Sequence, residues 1–342
     1  MAFTATVAGR PVDCGADQSI LDAFLRAGVW MPNSCNQGTC GTCKVRVLSG
    51  EVDHRDSPVD TLGEQERADG LALACQARLR SDAVVAPSGP GDRRVGRTTH
   101  PLRDLDATVV GIEDIARDTR RVRLGLTEPL AFHAGQYVEL VAPASGARRQ
   151  YSLANTADED KVLELHVRSV PSGLATEQWI FSDLAVGDRV QVTGPLGDFF
   201  LDSEDDGGEP MVLIGGGTGL APLIALVRTA LGRTPDREIL LYHGVRGAAD
   251  LYDLDLMAGL SGAHPNFNFV PVLSHEDPPR GTFHRTGLPT DLFVDDVASA
   301  RGWSGWLCGP PAMVEAGVKA FKRRRMAPRL IHREKFTPAD AA

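Results

Sequence analysis

No apolar run in the 342-residue chain approaches the roughly 20 residues that a membrane-crossing helix requires, so no membrane association is expected. Basic charge is in deficit: 36 Lys and Arg stand against 45 Asp and Glu, a net charge of −9. Without a basic stripe to neutralise phosphates, nucleic acid is excluded as the main partner. The opening Met1-Ala2-Phe3-Thr4 lacks the basic and apolar segments of a secretory leader, which predicts a cytoplasmic location. Cysteine is scarce, at six residues. In a reducing compartment a few clustered cysteines signify metal binding rather than a disulfide framework. Neither internal repeats nor low-complexity tracts are present.

What is present has the balance of a globular protein, 42% apolar and 24% charged. The length suits two or three domains of roughly 100–150 residues. In residues 1–90, apolar positions 20, 21, 24 and 25 recur at helical spacing before Gly28, a suitable helix stop, and strand-like stretches lie at 3–8, 44–48 and 81–86. Residues 88–104 are polar, with three Gly and two Pro, the composition of a linker, which is set at 91–104. Across 105–205, short β-type segments at 107–111, 121–126, 137–141, 162–168 and 189–192 predict a small barrel or sandwich. From 206 to 342, apolar strands alternate with helical stretches, which predicts an α/β unit around a parallel sheet.

Cys35, Cys40 and Cys43 have the Cys-x4-Cys-x2-Cys spacing, and Cys75 follows at a distance. That is the plant-type ferredoxin pattern for a [2Fe–2S] cluster. A cluster held by four thiolates is anionic, so its loop must aim N–H groups at sulfur. Gly38 and Gly41 permit that close approach, and Thr39 and Thr42 offer hydroxyl donors. The alternative is zinc, whose sites favour paired Cys knuckles rather than three ligands on one loop. Cys14 lies outside the motif and reads as a small buried hydrophobe.

Arg149, Tyr151 and Ser152 follow a strand and turn, and suit phosphate, isoalloxazine ring and flavin N5 respectively. Gly173 and Thr176 open a predicted helix over 177–180 whose free N–H groups suit a pyrophosphate, although a plain Thr cap reads the same way. Met211 to Ile214 then runs into Gly215-Gly216-Gly217-Thr218-Gly219-Leu220-Ala221-Pro222 and a helix over 223–231. Strand, Gly-rich turn and helix make a phosphate cradle, with Pro222 in the first turn. Leu220 stands where the third Gly of the dinucleotide fingerprint belongs. Arg246, rather than an acid, follows the next strand, which leaves NADH and NADPH both open. Cys308, Gly309 and Pro310 lie at a strand's carboxyl end, where open α/β sheets bind ligands.

In this order the motifs resemble the ferredoxin–NADP reductase superfamily. The likeness is specifically to the reductase components of bacterial ring-hydroxylating oxygenases of the naphthalene- and benzoate-dioxygenase type, which carry an N-terminal ferredoxin domain. It covers essentially the whole chain and rests on Cys-Gly-Thr-Cys at 40–43, the Gly-rich run at 215–222, Gly-Val-Arg at 244–246, Asp-Leu-Tyr-Asp at 250–253, the segment 307–316 and Glu334-Lys335-Phe336. The resemblance implies a β-grasp ferredoxin domain of α+β type, a Greek-key β-barrel for FAD and an α/β parallel-sheet domain for NAD(P). It places FAD on Arg149, Tyr151 and Ser152, its pyrophosphate on Gly173 and Thr176, and Phe336 near the flavin ring. The nicotinamide nucleotide falls between Gly215–Gly219 and Cys308–Pro310.

The expected activity is electron transfer from NAD(P)H through FAD to the cluster and on to a Rieske-type oxygenase or an intermediate ferredoxin. A two-electron donor cannot reduce a one-electron iron site directly, so the flavin is required. Ser152 and Cys308 are expected to orient cofactors rather than act as nucleophiles. The alternatives are the reductase of a di-iron monooxygenase and a redox sensor.

Overall fold

Ala5 and Val7 bury one face of the opening strand β1 (Ala2–Val7), which folds back on β2 (Arg10–Gly15) around Ala8 and Gly9. The computed structural model describes residues 2–88, 94–202, 206–276 and 283–337. These form two compact units, Met1–Asp104 with Thr193–Asp198, and Leu105–Val192 with Phe199–Ala342. In the first unit Ser19 accepts the Asp22 N–H and caps α1 (Ile20–Arg26), whose Ile20, Leu21, Ala23, Phe24 and Leu25 are buried. Gly28 ends that turn at φ 66°, where a Cβ is strained. Strands β3 (Lys44–Ser49) and β4 (Val52–Asp53), helix α2 (Glu64–Ala68), and strands β5 (Leu71–Leu73), β6 (Arg78–Leu79) and β7 (Ala83–Pro87) complete it. The sheet order is β2-β1-β7-β3-β5, with β1 and β7 parallel, and β4 pairs with β6 apart from it. This is the expected β-grasp arrangement.

Part of the segment read as a linker is pinned to this unit. The Thr99 N–H donates to the Gly28 carbonyl, the Trp30 N–H to Arg97, and the Leu102 N–H to Leu25, while the Arg94 guanidinium lies 4.3 Å from the Trp30 ring centre. Residues 89–93 of that stretch lie outside the described residues.

The second unit opens on most of a barrel of β8 (Arg103–Ala116), β9 (Thr119–Leu126), β10 (Tyr137–Val141), β11 (Arg148–Ser152), β12 (Val162–Arg168) and β13 (Arg189–Leu196), of which residues 103–104 and 193–196 fall in the first unit. The order β11-β10-β13-β8-β9-β12 inserts the last strand between two hairpins, a Greek-key connection. A bridge between Leu153 and Leu165 closes β11 towards β12. Alternate residues such as Val122, Leu124, Leu163, Leu165 and Val167 fill the interior.

Its other half is the expected parallel sheet. Strands β14 (Met211–Gly216), β15 (Ile239–Val245), β16 (Phe267–Leu273), β17 (Arg285–Thr286), β18 (Ser304–Gly309) and β19 (Ile331–Lys335) lie in the order β17-β16-β15-β14-β18-β19, all parallel. Helices α3 (Leu220–Arg233) and α4 (Leu254–Ala263) pack with Met211 and Leu213 on one face. Helices α5 (Pro289–Asp296) and α6 (Pro311–Arg323) pack with Val212 and Ile214 on the other. Both faces are covered, which is why β14 reads as an unbroken apolar run. Strand order reverses at β14, so the crevice beyond its carboxyl end is the place for a ligand. Among the described residues no helix is long and apolar enough to cross a membrane.

Candidate cluster, flavin and nucleotide sites

The register Lys44↔Leu73 between β3 and β5 sets Cys43, just before β3, beside Cys75, just after β5, with their sulfurs 3.2 Å apart. Cys35 and Cys40 form a second pair on the loop, where the Cys40 N–H approaches Cys35 Sγ at 3.4 Å and the Gln37 N–H at 3.5 Å. The Thr42 N–H lies 3.5 Å from Cys40 Sγ. The Thr39 and Thr42 hydroxyls reach Cys35 and Cys40 respectively. The shared hydrogen bond of the pair holds the Cys35 pKa down and pushes the Cys40 pKa up, so the two thiols share one proton. Two pairs are the division that two irons require. Cys43 is buried and Cys40 exposed, so the Cys40 side of the loop faces outward. Cys14 is a buried thiol in β2, as expected.

Arg149, Tyr151 and Ser152 lie together on β11, which register pairs with β10. The Arg149 guanidinium donates to the Arg148 carbonyl at 2.9 Å. The Tyr151 hydroxyl is shielded from solvent yet has no hydrogen-bond partner among the described residues, and burial pushes its pKa up. A buried hydroxyl without a protein partner suits a bound ring system that supplies one. The helix expected after Gly173 is instead one π-type turn, Thr176–Ile180, because bonds such as Gln178 N–H to Gly173 O span five residues. The Thr176 hydroxyl accepts the Val170 N–H at 3.1 Å and closes the preceding loop. A Cβ on Gly173 would lie 2.4 Å from that hydroxyl, so only glycine permits the turn.

Gly215 and Gly216 end β14, Gly217, Thr218 and Gly219 form a 3-10 turn, and α3 starts at Leu220 with Pro222 in its first turn. A Cβ on Gly219 would lie 2.2 Å from the Cys308 carbonyl oxygen. The close backbone approach is thus made at Gly219, which frees Leu220 to be a fully buried core residue and explains the departure from the usual fingerprint. A Cβ on Gly216 would press on Pro310 and Met313, so the loop and Cys308–Pro310 form the two lips of one crevice. Arg246 is exposed just beyond β15.

Two residues that the spacing of motifs did not single out complete the arrangement. Parallel pairing of β18 with β19 sets Glu334 opposite Cys308. Its Oε2 accepts from Ser152 Oγ at 3.4 Å and from Cys308 Sγ at 3.9 Å, so one buried carboxylate joins the flavin strand to the nucleotide sheet. Burial, and then the Glu334 charge, push the Cys308 pKa well up, which keeps it a protonated donor. Phe336, two residues on, donates its N–H to the Gly309 carbonyl at 2.9 Å and packs against the core around Trp306 and Cys308. Arg168, at the end of β12, lies beside the glycine loop: a Cβ on Gly217 would be 3.5 Å from its guanidinium. The only advance signals were the Glu-Lys-Phe ending and a cation at a strand terminus.

Three family models match the chain in order: a 2Fe-2S iron-sulfur cluster binding domain over residues 5–80, an oxidoreductase FAD-binding domain over 106–201 and an oxidoreductase NAD-binding domain over 213–319. The chain belongs to the family of reductases that join these three domains, and is an oxidoreductase of the ferredoxin–NAD(P) reductase type. It is 71% identical over 342 residues to the aromatic O-demethylase reductase subunit of Amycolatopsis sp. (strain ATCC 39116 / 75iv2), covering 99% of this chain and 100% of that one. It is 38% identical over 331 residues, 96% of each chain, to the ferredoxin–NAD(P)(+) reductase component of the naphthalene 1,2-dioxygenase system of Pseudomonas putida. The crystal structure of an Amycolatopsis cytochrome P450 reductase superposes with a TM-score of 0.95 at 70% identity, over 98% of this chain and 99% of that one.

Proposed function

We propose that this chain is the reductase of an aromatic O-demethylase system and delivers electrons from NAD(P)H to a cytochrome P450 oxygenase. The observation that carries the reductase reading is the meeting of Ser152 and Cys308 at Glu334, since hydride transfer needs the flavin strand and the nucleotide crevice at one place. The choice of a P450 over the Rieske-type partner is supported by 70% identity to the Amycolatopsis cytochrome P450 reductase, against 38% to the naphthalene system component. A Rieske oxygenase or an intermediate ferredoxin is the second reading, which that latter relative favours.

In this reading residues 1–90, 105–205 and 206–342 act as cluster, flavin and nucleotide modules joined through 91–104. FAD bound on β11 supplies the conversion of a two-electron hydride into single electrons for a [2Fe–2S] cluster. Arg149 holds the flavin phosphate, Tyr151 covers the ring, and the Gly173–Thr176 turn receives the pyrophosphate. Gly215–Gly219 and Cys308–Pro310 hold the nicotinamide nucleotide, Arg168 neutralises phosphate beside Gly217, and Phe336 flanks the flavin side of the crevice. Ser152 and Cys308 keep their protons and orient reacting groups, with Glu334 fixing both. Cys35, Cys40, Cys43 and Cys75 ligate the cluster, and a reducing cytoplasm is the compartment that suits them.

An anaerobic NADH titration followed by optical and EPR spectra tests the internal chain: flavin bleaching followed by a rhombic signal from a reduced cluster is expected. Reconstitution tests the partner. Turnover with a P450 O-demethylase oxygenase, and none with Rieske or di-iron oxygenases, is the expected result; the reverse pattern overturns it.

A further inference from the structure

His243 and Tyr252 are buried, and the reading above gives neither a role. Both side chains end at one atom. His243 Nε2 lies 3.0 Å from the carbonyl oxygen of Gly217, and the Tyr252 hydroxyl lies 3.4 Å from it. The two rings meet edge to face with centroids 5.5 Å apart, and Tyr252 meets His166 of β12 in the same way at 5.2 Å. The Leu220 N–H donates to the same oxygen from the start of α3. A carbonyl accepts only, so His243 carries its proton on Nε2. Burial keeps the ring neutral, with its pKa pushed down to about 4.

A trans peptide is planar, and its C=O and N–H point in opposite directions. Holding the Gly217 oxygen towards His243 and Tyr252 therefore turns the Thr218 N–H away from them. The constraint matters because Gly215-Gly216-Gly217-Thr218-Gly219 is the most permissive backbone in the crevice. A loop that visits several peptide orientations binds its ligand more weakly, in proportion to the fraction in the competent one.

We propose that His243 and Tyr252 are positioning residues for the nucleotide: by anchoring the Gly217 carbonyl they aim the Thr218 N–H at the pyrophosphate. This rests on the reading of Gly215–Gly219 as the pyrophosphate loop, so the test separates the two. ADP-ribose, which has the pyrophosphate but no nicotinamide, is titrated calorimetrically into the flavin- and cluster-loaded protein. His243→Leu, which removes the donor, is expected to weaken binding roughly 5- to 20-fold, and Tyr252→Phe roughly 2- to 5-fold. His243→Gln, which restores an N–H donor, recovers most of the loss. The KM for NADH rises in parallel while kcat at saturating NADH stays within about twofold. Gly219→Val is the control for the loop itself, and is expected to abolish ADP-ribose binding with flavin and cluster spectra retained. Loss in Gly219→Val with wild-type affinity in both His243→Leu and Tyr252→Phe overturns the positioning role and leaves the loop reading standing. Wild-type affinity in Gly219→Val overturns the loop reading and the positioning role with it. If His243→Leu loses flavin, Tyr252→Phe alone decides.

Discussion

Glu334 is buried with two neutral donors, and its charge has consequences for each. The hydroxyl of Ser152 and the thiol of Cys308 both donate to its Oε2, which restrains the orientation of each group. Ser152→Ala is therefore expected to slow flavin reduction by NADH roughly tenfold or more, read in anaerobic stopped-flow. An unchanged rate removes Ser152 from the reaction. Glu334→Gln keeps the shape but halves the acceptors, and a similar slowing with unaltered cluster EPR is the expected outcome. His243 makes a separate prediction in acid. Its ring titrates near 6.5 when unfolded and at about 4 when folded. The unfolded chain therefore binds the extra proton first, and stability present above pH 6.5 is lost as the pH falls towards 4. The loss is on the order of 3 kcal/mol at most. Urea denaturation at pH 7.5 and pH 5 checks it: His243→Gln must flatten that dependence.

At the scale of elements, α1 anchors the first unit through Phe24, which is fully buried. Phe24→Ala is expected to cost about 3–5 kcal/mol, read by denaturant unfolding of the cluster absorbance. Most elements were legible from periodicity, because burial on one or both faces imposes alternation or continuous apolarity. Those that were not have a common cause. Strand β2 reads Arg-Pro-Val-Asp-Cys-Gly and β19 reads Ile-His-Arg-Glu-Lys, and both are edge strands in their sheets. Edge strands bury too little to need an apolar pattern and often carry charge. The π-type turn at Thr176–Ile180 was likewise hidden, since the residue types that form it also form an α-helix.

At the scale of the whole molecule, the cluster is expected to serve delivery and not hydride transfer. Cys75→Ser should lose the cluster EPR signal and support of the oxygenase, while NADH-dependent ferricyanide reduction persists near its original rate. Loss of both activities refutes that division. The net charge of −9 also predicts that oxygenase turnover falls as salt rises, provided the partner presents a basic face.

The sequence by itself determined the three domain types, the four cysteines and the glycine loop. Each is local chemistry: ligands crowded on one loop, or glycines where a backbone must approach. Only the tertiary structure decided that the thiols fall into two pairs, that Glu334 joins Ser152 to Cys308, and that His243 and Tyr252 share the Gly217 carbonyl. Those partners are 182 residues apart for Ser152 and Glu334, and 26 for His243 and Gly217. Their meeting depends on strand order and register, which no local spacing encodes.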